Sequence, residues 1–321
     1  MNHEHVVVTG AAGFIGSHLC EALLSQGYQV AGVDGFLPNY AEAFKRNNLH
    51  KLLSTERFSL LESAIADEHF QDLLHSVRPR AIIHLAATPG VRPSISQVLE
   101  YVDNNVRGTA NVLASAVAAG VPKVIFASSS SVYGQGLDRP SREDDATTPL
   151  SPYAATKVAG EALCRSFVAC HDISITCLRF FTAYGPRQRP DMAIHKLARC
   201  IKTGTPFRVH GSGSSMRDYT YITDIVSGIC AALVYEKRFS IFNLGSGRPI
   251  ELREMISAVS EAIGSTPTLE FEALSGAEPL HTYADIHKAS TALGFHPQVS
   301  FRDGIKQFAE WFEQMWKSES A

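Results

Sequence analysis

The sequence predicts an α/β chain built on a doubly wound parallel sheet, with a second, smaller, mixed α/β domain after it. Short β-branched or apolar runs alternate with amphipathic helical stretches. The runs are apolar almost throughout, as strands covered on both faces must be, and the first of them ends in a glycine-rich turn that opens a helix. In order, Val6–Thr9, Gln29–Val33, Phe58–Leu61, Ala81–Leu85, Lys123–Ala127 and Ile173–Arg179 read as strands. After Arg179 the rhythm breaks into Gly/Pro-punctuated loops, then a helix at Arg253–Ile263, a strand near Leu269–Phe271 and a C-terminal helix from Phe301. The expected boundaries are therefore 1–178 and 179–321, with segments near 219–244 (Tyr219–Asp224 and Ile241–Leu244) returning to the first domain. On the last helix Ile305, Phe308, Phe312 and Met315 repeat at helical spacing and are expected to bury against the second domain.

With 321 residues, 45% apolar and 19% charged, the chain has the composition of a globular protein with room for these two cores. Its formal net charge of −3 and scattered basic residues argue against nucleic acid or an anionic membrane as partner and leave small-molecule work. Six cysteines (Cys20, Cys164, Cys170, Cys177, Cys200 and Cys230) form no CxxC pair and lie mostly in apolar-periodic stretches, which points to reduced thiols and a cytoplasmic protein. The start, MNHEHVVVTGAAGFIG, carries no basic and apolar leader, and no later run approaches the roughly 18 apolar residues of a membrane span. The thirteen histidines show no HExxH or paired Cys/His spacing, so no metal is expected; His84, ending an apolar strand, reads as a packed structural histidine.

VVVTGAAGFIGSHL places Gly10, Gly13 and Gly16 in GxxGxxG spacing directly after a strand and at the start of a helix. Glycine lets the backbone turn tightly and approach a pyrophosphate, whose charge then meets the N–H groups of a helix N-terminus. A second strand ends at Asp34, 18 residues beyond Gly16, where a carboxylate accepts hydrogen bonds from adenosine ribose hydroxyls and repels a 2′-phosphate. The expected cofactor is NAD rather than NADP.

SPYAATKVAGEAL has a cap-like Ser151 and Pro152 at the first helical position, so a helix begins there, with Tyr153 and Lys157 one turn apart on one face. An ammonium beside a phenol favours the phenolate and lowers its pKa from about 10, which would make Tyr153 a general base near neutrality. Upstream, FASSSSVYG ends a strand with hydroxyls where strand C-termini line the ligand crevice of such sheets.

On TGAAGFIG, the HLAA turn at His84–Ala87, NNVRGT, SSSSVYG, the Tyr153/Lys157 pair, RFFTAYGPRQRPDM, RDYTYITD and NLGSG, the chain resembles the extended short-chain dehydrogenase/reductase family over nearly its whole length. Within that family it is similar to the NAD-dependent nucleotide-sugar epimerases and dehydratases. The resemblance implies a Rossmann-type cofactor domain in which Phe14, Ile15 and Ala86 join the glycines and Asp34, with Asn105 beside the cofactor. It implies Tyr153 as base, Lys157 also holding the nicotinamide ribose, Ser129 hydrogen-bonded to the sugar C4 oxygen, and Arg217 paired with the substrate diphosphate. By the same analogy the helices at Asn104–Ala119 and Tyr153–Cys170 pair across a homodimer as a four-helix bundle. Ala64 stands where the family often has an aspartate contacting adenine.

All enzymes of this group oxidise the sugar at C4 to a 4-keto intermediate and then diverge. Dehydratases resemble one another in having Asp-Glu after the catalytic threonine, and related decarboxylases keep the glutamate; this chain has Ser130 and Ser131. Without a carboxyl group to move protons at the neighbouring carbons, hydride return to the opposite face is the natural exit, which is 4-epimerisation. RFFTAYGPRQRPDM with AATPGVRPSI looks most like bacterial UDP-glucuronate 4-epimerases. In that case Arg189 is the leading partner for the C6 carboxylate, with Arg92 a second candidate and Ser130 and Thr182 at the sugar; the other reading of Arg189 is a loop arginine paired with Asp191. Thr182 replaces the asparagine of many UDP-glucose 4-epimerases, and Ala273 replaces an arginine three residues before a family glycine, here Gly276. The alternatives are a UDP-glucose or UDP-N-acetylhexosamine 4-epimerase, a decarboxylase or dehydratase, and a non-catalytic NAD-sensing protein on the same fold.

Overall fold

The computed structural model describes residues 4–136, 138–273 and 280–320; Gly276 lies outside them. The strands are β1 (His5–Thr9), β2 (Gln29–Asp34), β3 (Phe58–Glu62), β4 (Ala81–His84), β5 (Lys123–Ser129), β6 (Ser174–Phe180), β7 (Thr182–Tyr184), β8 (Phe207–His210), β9 (Met216–Tyr221), β10 (Phe239–Leu244), β11 (Pro249–Glu251), β12 (Leu269–Glu272) and β13 (His281–Thr282). The helices are α1 (Phe14–Ser25), α2 (Glu42–Leu53), α3 (Glu68–Val77), α4 (Val91–Ser96), α5 (Val98–Tyr101), α6 (Gly108–Ala118), α7 (Pro152–Cys170), α8 (Ala193–Thr203), α9 (Ile222–Leu233), α10 (Leu252–Ile263), α11 (His287–Leu293) and α12 (Phe301–Ser320).

Seven strands form one parallel sheet in the order β10-β6-β5-β4-β1-β2-β3. The order reverses between β1 and β4, and in a doubly wound sheet that switch point opens a crevice at the strand C-termini. Side chains alternate along each strand, so Val6 and Val8 pack with α1 and α9, while Val7 faces α3, α6 and α7. Both faces are therefore covered, which is why the strands are apolar throughout. Strand β10 pairs with β6 in this sheet although it follows β6 by some sixty residues; the intervening chain gives β7, β8 and β9 to a smaller lobe and returns to the large sheet with α9.

That lobe holds the sheet β11-β9-β13, with β7 also on β9, and the parallel pair β8 and β12. Ile305, Phe308, Phe312 and Met315 are buried, and α12 packs on α10 and β9. The helix expected from Asn104 differs in detail: a wide π-helical turn over Val102–Arg107 precedes α6. Such turns re-aim side chains, and here Asn104 and Asn105 both address Thr88 in the loop after β4.

Candidate active site

A cleft of about 1380 Å³ runs from the switch point of the large sheet into the smaller lobe. That exceeds the roughly 300–1,000 Å³ of a single-ligand pocket, so two ligands can lie end to end.

At one end is the glycine turn. Gly10 has φ +73, and a Cβ there would stand 2.9 Å from the Ala86 nitrogen; a Cβ on Gly16 would come within 2.0 Å of the Gly10 carbonyl oxygen. Only glycine permits β1, the turn and α1 to close this tightly. Gly13 caps α1 without a side-chain bond, which leaves first-turn N–H groups for an anion. Gly10, Gly13, Phe14, Ile15, Gly16, Asp34, Ala64 and Ala86 all line the cleft. Asp34 accepts from the Ala12 and Phe36 N–H groups at 3.0 and 2.9 Å, and burial raises its pKa against those bonds and the charge of Lys45. A glycine cradle, a helix N-terminus and an oriented carboxylate fit a dinucleotide.

Asn105 is the exception in the expected cofactor set. It is buried behind the wall: its Oδ1 accepts from Thr88 N–H at 2.7 Å, and its Nδ2 donates to the Thr88 carbonyl and to Thr156 Oγ1 at 3.0 and 3.1 Å. With its amide committed on both ends it braces the β4 loop, and Asn104 is the one that lines the cleft.

Midway along, Ser129, Ser130, Ser131, Tyr153 and Lys157 converge. The Ser151 hydroxyl accepts from Ala154 N–H at 3.2 Å and Pro152 starts α7, which sets Tyr153 and Lys157 on the inner face. Ser129 Oγ accepts from Ser131 N–H at 3.2 Å and from the Ser131 hydroxyl at 2.9 Å. The expected lowering of Tyr153 by Lys157 is not what the geometry produces. The Lys157 ammonium donates to the Ala127 carbonyl at 2.8 Å and lies 5.9 Å from the Tyr153 ring centre. Burial raises the Tyr153 phenol, opposed by hydrogen bonding to Ser129 and by the charge of Arg189. Lys157 itself is pulled down to about 8 by burial. His84 bridges Thr9 and Thr109 at 2.8 and 3.1 Å, and burial holds it neutral.

Toward the smaller lobe the wall carries Thr182, Arg92, Arg189 and Arg217. Arg189 lines the cleft and is paired there with Asp191, to which its Nε and Nη2 donate at 2.9 and 3.0 Å. Arg217 donates to the Met216 and Leu280 carbonyls. The lining has eight cationic side chains (Lys45, Arg92, Lys157, Arg189, Lys196, Arg199, Arg208, Arg217) against three carboxylates (Asp34, Asp191, Glu272), although the whole chain is net acidic. Such a field suits ligands bearing diphosphates.

Sequence reasoning missed Lys45, whose ammonium lies 4.8 Å from the Tyr40 ring centre and donates to the Leu37 carbonyl beside Asp34. Its signal was available: Lys45, Asn48, Leu49 and Leu52 form one buried helical stripe, and a lysine there needs a partner. Arg208, His210 and Glu272 come together only through the pairing of β8 with β12, which no local pattern announces. Among the described residues, no group of His, Cys, Asp and Glu could hold a metal ion, and no helix is long and apolar enough to cross a membrane.

The chain is 37% identical over 317 residues to the uncharacterized UDP-glucose epimerase YtcB of Bacillus subtilis, covering 98% of this chain and 99% of that one. It is 37% identical to the UDP-glucuronate 4-epimerase of Thermodesulfobacterium geofontis, covering 97% and 96%. Its structure is similar to the Bacillus cereus UDP-glucuronic acid 4-epimerase in complex with UDP-glucuronic acid and NAD, with TM-score 0.93, 38% identity and coverage of 97% and 99%. Residues 6–245 match the profile of the NAD dependent epimerase/dehydratase family, and the chain belongs to that family.

Proposed function

We propose that the protein interconverts a UDP-sugar and its C4 epimer with NAD, UDP-glucuronate and UDP-galacturonate being the pair. One cleft carries this proposal, because it joins the glycine turn, the Ser129/Tyr153/Lys157 group and Arg189 in a single continuous space. The relatives named UDP-glucuronate 4-epimerase support the choice of sugar.

NAD, when bound, would supply the reversible hydride chemistry needed at C4. Tyr153 takes the proton of the C4 hydroxyl, with Ser129 hydrogen-bonded to the same oxygen, and gives it back when the ring has turned over. Lys157 places a positive charge at the base of this group and has the reach to hold the nicotinamide ribose. Gly10, Gly13, Phe14, Ile15, Gly16, Asp34 and Ala86 hold the dinucleotide; Arg217 anchors the diphosphate. An anchored diphosphate leaves the sugar ring free to rotate, so weak ring contacts serve the reaction. Ser130 and Ser131 bring no carboxyl group to the neighbouring carbons, and Thr182 lines the same wall. The 4-keto form of a uronate is a β-keto acid; Arg189, with Arg92 as second candidate, holds its carboxylate near the ring plane and so restrains loss of carbon dioxide.

A second reading is turnover of UDP-glucose, because the fork of Arg189 already meets a carboxylate in Asp191. Incubation with UDP-glucuronate, UDP-glucose and UDP-N-acetylglucosamine separately, with products identified by proton NMR, decides between them. UDP-galacturonate without UDP-pentose is the expected result; turnover of the neutral sugars alone sinks the uronate assignment.

The cellular setting belongs to the same proposal. All six cysteines are free, which supports a cytoplasmic protein. Ile95, Val98, Leu99 and Val102 are exposed, Leu99 at 80%, beside an α7 whose outer face shows Ala155, Ala162 and Ala169. Small residues on a helix pair flanked by bare apolar side chains suit a homodimer, checked by light scattering.

A further inference from the structure

The loop that carries Arg189 is fastened to the helix that opens at the cofactor turn. Arg187 Nη2 donates to Glu21 Oε2 on α1 at 2.6 Å, with side chains 18% and 35% exposed. Three residues earlier on α1, and so on the same face, the His18 Nε2 meets the Pro186 carbonyl at 2.9 Å. From the other side His195 Nδ1 meets the Gln188 carbonyl at 2.8 Å, with both residues buried. A carbonyl only accepts, so in each ring the proton is on the nitrogen facing the loop. His18 is neutral, its pKa pulled to about 4 by burial first and the charge of Arg187 second.

Arg187 also adopts φ +64, the left-handed region that a non-glycine residue occupies only when its surroundings over-determine it. Its side chain is absent from the cleft wall, whereas Gln188 and Arg189 line it. The strain at Arg187 thus turns the chain between an anchor on α1 and a side chain in the site.

We propose that Glu21 and Arg187, helped by His18, are positioning residues for substrate selection: their clasp fixes the Arg189 loop to α1 and so sets where Arg189 stands against the C6 group of the sugar. The clasp rests on the role given to Arg189 above. It makes the helix held by the dinucleotide the same body that holds the substrate arginine. Neither residue touches the reacting atoms. A partly exposed pair adds little stability, so its loss is read in selectivity and not in melting temperature.

The test compares wild type with Glu21→Gln and with Arg187→Gly, whose backbone accepts φ +64 without strain, measuring kcat and KM on UDP-glucuronate and on UDP-glucose. The expected result is a fall of about tenfold in kcat/KM for UDP-glucuronate, mostly in KM, short of the roughly 10²-fold that a 1 Å misplacement can cost. UDP-glucose turnover changes less than about twofold, since a neutral C6 group makes no charged bond to lose. Reversing the pair, Glu21→Arg with Arg187→Glu, restores part of the uronate preference. Equal losses on both substrates, an unchanged preference, or no restoration by the reversed pair overturns the clasp. Wild type that prefers the uronate while both variants keep that preference defeats the clasp alone; wild type with no uronate turnover defeats it together with the role of Arg189.

Discussion

Lys157 gives its ammonium to the Ala127 carbonyl at 2.8 Å and stands 5.9 Å from the ring centre of Tyr153, the residue one helical turn before it. Helical spacing puts the two on one face, but β5 supplies the nearer acceptor. The lysine therefore braces α7 on the sheet.

Burial brings Lys157 down from 10.5 to about 8, against the pull of Cys164 and Glu161. Its proton is lost near pH 8, so kcat is expected to fall as pH rises through that point. Lys157→Arg keeps its charge and is expected to show a lower plateau without that limb. For stability the sign is opposite to that of a paired lysine. Between about 8 and 10.5 the unfolded chain holds a proton that the folded chain has released, so stability rises with pH across this window. Below it the buried charge is a cost, and Lys157→Met is expected to melt higher than wild type at pH 7. A kcat profile in Lys157→Arg with the wild-type limb intact counts against the assignment.

Tyr153 and Ser129 line the same stretch of the cleft, and Ser129 lowers the phenol's pKa against the burial that raises it. Replacing Tyr153 with Phe keeps the ring that packs edge-on against Tyr101 at 6.2 Å and removes only the proton carrier. The expected loss in kcat is about 10²–10⁴-fold, with UDP-sugar affinity changed by no more than a few-fold. Turnover of Tyr153→Phe near the wild-type rate ends the base assignment.

Arg189 and Asp191 make opposite demands on a uronate. The arginine attracts the C6 carboxylate, while Asp191 already occupies Nε and Nη2 and repels it. Arg189→Ala is expected to raise KM for UDP-glucuronate about tenfold or more, the scale of a charged hydrogen bond of about 1.5–3 kcal/mol, and to leave UDP-glucose nearly unchanged. Asp191→Asn keeps a hydrogen-bonding shape and removes the competing charge, so KM for the uronate falls several-fold. A rise in both substrates' KM in Asp191→Asn would mean that Asp191 matters only for placing the guanidinium.

Most of the large sheet was legible because each strand is a short apolar run bounded by turn chemistry, and β1 through β6 begin and end within a few residues of the patterns that announce them. The same holds for Gly10, Asp34, Tyr153 and Lys157, whose spacing carries their geometry. What was not legible depends on contacts between distant segments. Asn105 is turned away from the cleft by Thr88 and Thr156, a choice made by the wide turn at Val102–Arg107 and invisible in NNVRGT. The pKa of Tyr153 is set by burial and by Ser129, while helix spacing alone suggested Lys157. Arg187 and Glu21 meet across 166 positions of sequence.

Glu161, one turn beyond Lys157, forms with Arg179 the ion pair that underlies the site: Arg179 Nε and Nη2 donate to its carboxylate at 2.9 and 2.7 Å, with side chains only 8% and 3% exposed. Ser128 donates to the same carboxylate, and Arg179 also donates to the Tyr133 hydroxyl at 2.9 Å. The network thereby ties α7, β6 and the segment around Ser129 into one body. Removing one partner leaves a buried charge alone, so Arg179→Ala is expected to lose about 3–5 kcal/mol in denaturant unfolding. Replacing both, Glu161→Leu with Arg179→Met, removes the orphaned charge and is expected to recover much of that loss. It also takes the acceptor from the Ser128 hydroxyl and one donor from the Tyr133 hydroxyl, which keeps its bond to Asn243, so kcat stays well below wild type even where stability returns. Recovery of stability and kcat together in the double variant would show that the pair matters to the fold and not to the alignment of Ser129 with Tyr153.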